Sequence, residues 1–138
     1  MSEAARPTRR MKSLRGLLLV FALVLLTSGC NRIFGVSLNG TWSGDFRSTG
    51  GDSGLLLMTL DVAAGEVTGT WEASFSGSID SGSLTGVADE FVSLILVPTG
   101  DTNCTYSLVA DQTREELEGT FSSSCAPSDS GTFKLKKR

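Results

Sequence analysis

Few side chains in this sequence have the type and spacing for chemistry. Carboxylates gather at Asp89-Glu90 and at Glu115, Glu116 and Glu118. Paired carboxylates do acid–base work when their surroundings push their pKa values apart. Both groups border turn-forming stretches, where solvated surface charge is the ordinary outcome. Serines are abundant, but the chain has no histidine. A Ser-His-Asp arrangement is therefore excluded, and the commonest general base and metal ligand is missing. A Ser–Lys pair would draw on Lys134, Lys136 or Lys137, at the C-terminal end. Asp52, Asp101 and Asp129 sit in separate loops without the ligand density of a calcium site. No glycine cluster has the lysine and following helix of a phosphate loop. The expectation is no catalytic residue, no metal and no cofactor. What remains is three cysteines, Cys30, Cys104 and Cys125, and a set of aromatics.

Cys30 ends a distinctive segment. Arg9, Arg10, Lys12 and Arg15 precede an apolar run from Gly16 to Thr27. A bilayer-spanning helix needs about 20 apolar residues, and this run has the length of a signal-peptide core. Leu26-Thr27-Ser28-Gly29-Cys30 resembles the lipobox of bacterial lipoproteins, with Thr27 where leucine is usual. The resemblance implies a signal peptide over 1–29, cleavage before Cys30, and acylation of the Cys30 thiol and of the new amino end. Several acyl chains give a stable anchor where one is marginal. Asn31, in place of aspartate, implies the outer membrane. An ordinary signal peptide with a chance cysteine, or an uncleaved anchor, is the competing reading. Arg9-Arg10 lacks the rest of a twin-arginine motif.

The charge divides at the same point. Residues 1–29 carry five basic groups and one acidic, net +4; residues 30–138 carry 7 basic and 14 acidic groups, net −7. An acidic domain repels phosphate backbones, which argues against nucleic acid as a partner. It also disfavours unaided binding to anionic lipid.

After a tether over 30–37, the domain over 38–138 shows short alternating stretches between turn residues, the all-β signal. A motif recurs: Leu38-Asn39-Gly40-Thr41-Trp42, Val67-Thr68-Gly69-Thr70-Trp71 and Leu117-Glu118-Gly119-Thr120-Phe121. Alternation turns the apolar, glycine and aromatic positions inward. Such a glycine lets a neighbouring backbone approach or a strand bend at a barrel corner. Eight strands follow, near 38–47, 54–62, 66–76, 79–88, 90–97, 103–110, 116–124 and 130–137. Their short connections require antiparallel neighbours. The predicted fold is a small antiparallel up-and-down eight-stranded barrel.

The cysteines test the pairing. Setting Leu108 opposite Phe121 also sets Ala110 opposite Gly119, Tyr106 opposite Ser123 and Cys104 opposite Cys125. Directly opposed positions are within disulfide reach, and an exported domain meets an oxidising environment. Two buried free thiols are the alternative.

Trp42, Phe46, Trp71, Phe75, Phe91, Tyr106, Phe121 and Phe133 either line a cavity for a small apolar ligand or fill the core of a narrow barrel. The stretch Glu90–Val97 is apolar on both faces, as is Leu55–Met58. That points to a cover: a second copy of the chain, an envelope partner, the tether or a membrane surface.

Gly40-Thr41-Trp42 and Val67–Trp71 resemble the calycins, the lipocalin and avidin-like barrels. The resemblance implies that Trp42 packs at the closed end, beneath a basic side chain from Lys134–Arg138. Ser43-Gly44-Asp45-Phe46 lacks the ligands by which avidins hold biotin, so biotin is not expected. The leading expectation is a non-catalytic, lipid-anchored envelope protein binding a small apolar ligand. The alternative is a protein-interaction or inhibitor module working through loops or the 90–97 strand. An envelope hydrolase ranks third.

Overall fold

The computed structural model describes residues 37–138; the signal segment, Cys30 and most of the tether lie outside the described residues. Eight strands follow in order: β1 (Gly40–Ser48), β2 (Ser53–Ala63), β3 (Glu66–Phe75), β4 (Ser78–Ala88), β5 (Val92–Pro98), β6 (Tyr106–Gln112), β7 (Glu116–Ser123) and β8 (Ser130–Lys137). Each pairs antiparallel with its sequence neighbours, and β8 returns to β1, closing the barrel. The largest departure from the sequence-based boundaries is the start of β6. There Asn103 N donates to Asp101 Oδ1 at 3.0 Å and Cys104 N to the Asp101 carbonyl at 3.4 Å, so a local turn holds the chain off the ladder.

The register explains the shape. Paired residues run from Ser48 through Gly131, Phe121, Leu108, Leu94, Gly86 and Val67 to Val62. Extending the β1–β2 register by one further inward pair reaches Leu38, about ten residues back along β1. A stagger of that size tilts the strands and widens the interior. The recurrent glycines allow the bending. A Cβ on Gly69 would lie 1.9 Å from the Thr59 carbonyl oxygen, and one on Gly119 would lie 2.0 Å from that of Val109. In the second and third copies of the motif the glycine is there for close backbone approach; in the first, Gly40 instead takes a φ of 122°.

Alternation sends one residue in two inward. Trp42, Leu60, Val67, Leu94, Leu117 and Leu135 occupy the half of the barrel where the chain enters and leaves, and none is more than 2% exposed. Each such side chain contributes about 1.5–3 kcal/mol through removal from water. Trp42 Nε1 donates to the Leu38 carbonyl at 2.8 Å, and Lys137 Nζ stands 5.5 Å from the Trp42 ring centre. This end is sealed. The outer face is mostly polar. Lys134 reaches Glu116 and Glu118, both at 3.2 Å, while Lys136 approaches Glu116 at 3.8 Å. Exposed pairs of this kind add little stability.

Candidate ligand-binding site

The turns β1–β2, β3–β4, β5–β6 and β7–β8 gather at the other end, and there the interior is not filled. A cavity of about 530 Å³ extends inward from this mouth, within the range of small-molecule sites. The reason lies in the inward positions. Where the sealed end carries leucines, the mouth end carries rings that lean on glycines. The Phe46 ring lies over Gly54 and the Phe121 ring over Gly131, at the distance of a missing Cβ. Phe46 meets both Phe75 and Phe121 edge-on, with centroids 6.1 Å apart in each pair. Trp71 and Tyr106 meet at 5.7 Å. Trp71 is anchored by Nε1 donating to the Ser83 carbonyl at 3.1 Å. These edge-to-face contacts fix the rings in place without filling the space between them.

Six of the eight aromatics named from the sequence line the cavity: Phe46, Trp71, Phe75, Tyr106, Phe121 and Phe133. Trp42 and Phe91 do not. Phe91 lies on the outside of the barrel. Trp42 belongs to the sealed core: it shares a paired row with Met58 and Trp71, and the stagger makes that row climb toward the mouth from β1 to β3. The even-numbered spacing of Phe46 from Trp42 is the signal for its inward direction. Leu56, Leu96 and Leu108 complete the apolar wall.

The polar groups of the wall are clustered toward the mouth. Asp52, Asp80 and Asp129 line it, together with Ser48, Ser123 and Ser128. Asp129 Oδ1 accepts from Ser48 Oγ at 2.7 Å and from Ser130 N at 2.8 Å, which holds the β7–β8 turn to β1. Asp80 Oδ1 accepts from Ser81 N at 2.9 Å. The Tyr106 pKa is raised by burial first, then by the negative charges of Asp80 and Asp129. The phenol is thus held neutral, as a hydrogen-bonding group on the wall. Among the described residues no cluster of acidic or cysteine side chains converges tightly enough to hold a metal ion.

Cys104 and Cys125 face each other with Cα atoms 4.6 Å apart, and they form a disulfide. Their pairing continues the β6–β7 register of Leu108 with Phe121 and Tyr106 with Ser123. The link fastens the β5–β6 connection to the β7–β8 turn, and Cys125 itself lines the cavity. The carboxylates of the sequence pattern stand elsewhere. Glu116 and Glu118 pair with lysines outside the barrel, and Asp89-Glu90 lies in the exposed β4–β5 turn.

On β5 the two faces separate: Val92, Leu94 and Leu96 are core, while Ser93, Ile95 and Val97 point outward. Val87 and Val109 flank Ser93 on the neighbouring strands. With Ile95 and Phe91 they form an apolar outer patch, each 42–53% exposed.

No protein family and no curated relative matches the chain. Solved structures that share its fold include two β-barrels. A fluorescence-activating β-barrel of de novo design superposes with a TM-score of 0.63 at 14% identity, covering 73% of this chain and 94% of that one. The protein EF1p2_mFAP2b, solved bound to DFHBI, gives a TM-score of 0.65 at 11% identity with the same coverage. At these identities the likeness is one of fold alone.

Proposed function

We propose that this chain is a non-catalytic, lipid-anchored binding protein of the bacterial cell envelope, whose barrel holds a small apolar ligand. The observation that carries the binding reading is the aromatic-walled cavity of about 530 Å³, open at one end only. That a similar barrel was solved bound to DFHBI supports it. The anchor rests on the Leu26–Cys30 sequence and its basic and apolar flanks. The absence of histidine from the whole chain supports a non-catalytic role.

Native mass spectrometry of the full protein purified from its own host tests the binding half. A small molecule released on unfolding supports the proposal, and an empty barrel that also rejects apolar ligands offered to it sinks it. Radiolabelled palmitate tests the anchor. Label should follow the wild type into the membrane fraction and be absent from Cys30→Ser, with the outer membrane as the destination.

The outer patch of Val87, Phe91, Ile95 and Val109 favours a second reading, a docking face for an envelope partner or a second copy of the chain. Light scattering with Ile95→Glu and Val109→Glu tests self-association. A monomer before and after the change removes that form of it.

A further inference from the structure

The cavity has a sign. Its wall contains three carboxylates, Asp52, Asp80 and Asp129, and no lysine or arginine. None of the cations of the domain lines it; Arg47, the one on β1 next to the wall residue Ser48, is exposed at an outward position of the strand. Lys134 is occupied by Glu116 and Glu118 on the outer face. Lys137 sits over Trp42 at the sealed end, donating to the Ser37 carbonyl, and Arg138 Nε is bound to Ser43 Oγ at 2.6 Å. The deep wall is apolar and aromatic, whereas the carboxylates belong to the mouth and its turns. Asp80 and Asp129 are both half-buried, where solvent screens their charge less than at an open surface. The interior groups feel this field: the raised pKa of Tyr106 has both carboxylates among its causes.

We infer that the ligand is an amphipathic cation, with an apolar or aromatic body carrying a protonated amine. The body would lie among Phe46, Phe75 and Phe121. The ammonium would face Asp80 and Asp129, with the Tyr106 ring beside it. Each part of the wall favours such a molecule. Ring faces attract a cation, and a carboxylate takes a charge-assisted hydrogen bond from an ammonium. A carboxylate-bearing ligand of the same shape would meet repulsion with no compensating donor side chain of positive charge.

This inference rests on the binding proposal above, and one experiment separates the two. The full-length protein in detergent is titrated by calorimetry at neutral pH with 2-naphthylmethylamine, 2-naphthylmethanol and 2-naphthoate, which share one apolar body. The amine should bind about tenfold tighter than the alcohol, and the acid weakest, a modest electrostatic preference at a half-exposed site. In Asp80→Asn/Asp129→Asn the amide oxygens still accept from Ser81 N, Ser48 Oγ and Ser130 N, so the turns are retained while the charge is lost. This variant should lose most of the preference for the amine over the alcohol, whatever its affinity for the alcohol itself. Circular dichroism and an unchanged urea midpoint establish that it is folded. Equal binding of all three compounds, or a preference that survives the double change, overturns the charge inference and leaves the binding proposal standing. Failure of all three to bind overturns both.

Discussion

The two tryptophans project from the same repeated motif into the same interior, yet they sit in different surroundings. Trp42 is fully buried among leucines, with its indole N–H bonded to Leu38. Trp71, also anchored through its N–H, forms part of a cavity wall with Tyr106 against it. One half of the barrel spends its inward positions on aliphatic side chains that interlock. The other spends them on rings that brace one another across glycines and leave room. The difference teaches that stability and recognition are divided along the barrel axis, and that division can be broken at either end.

The largest effect should come from the sealed end. Trp42→Ala removes the biggest fully buried side chain and leaves a hole that rigid leucines cannot fill, costing about 3–5 kcal/mol. Urea unfolding followed by circular dichroism should show this as a large fall in midpoint. Loss of the Cys104–Cys125 link comes next. Replacing both cysteines with serine frees a loop with sequence separation 21 and should cost about 3 kcal/mol. Intact mass of the wild type should rise by two hydrogen atoms on reduction. Thiols that react in the unreduced, unfolded protein would show that no bond is there. Phe75→Ala should cost less, about 1–2 kcal/mol, because its ring is half-buried and already borders empty space. Its weight should fall on ligand affinity. A Phe75→Ala loss as large as that of Trp42→Ala would mean that the mouth end is core as well.

Much of this division was written in the sequence, though not all of it. The alternation and the turn residues place all eight strands. The shared register of Leu108–Phe121 and Cys104–Cys125 places β6 against β7. In the structure the alternation of β4 turns Asp80 inward and leaves Ile79 outside, against their hydrophobicities, with Ile79 71% exposed. What parity cannot give is height along the axis. Trp42, Phe46, Trp71 and Phe75 all read simply as inward. Which of them seals and which lines depends on the stagger accumulated around the closed sheet, a sum over every strand pair. The gathering of Asp52 and Asp129 from two turns with Asp80 from the start of β4 depends on closure in the same way.

The smallest effect concerns the charge of the open end, and Tyr106 reports it directly because it is the only tyrosine in the chain. Burial and the two aspartates favour its neutral form, so its pKa in the fold lies above the ordinary 10.0. A group whose folded pKa is raised stabilises the fold below the unfolded-state pKa and loses that contribution as pH rises through the folded value. The stability of the barrel should therefore decline slightly in the alkaline range above 10.0, and less in Tyr106→Phe. Phenolate absorbance gives the titration midpoint without any ligand. In Asp80→Asn/Asp129→Asn that midpoint should move down, but only part of the way, because burial is the larger cause and persists. A midpoint that does not move would place the carboxylates too far from the phenol to set the sign of the mouth. The contrast between the two ends would then be one of packing alone.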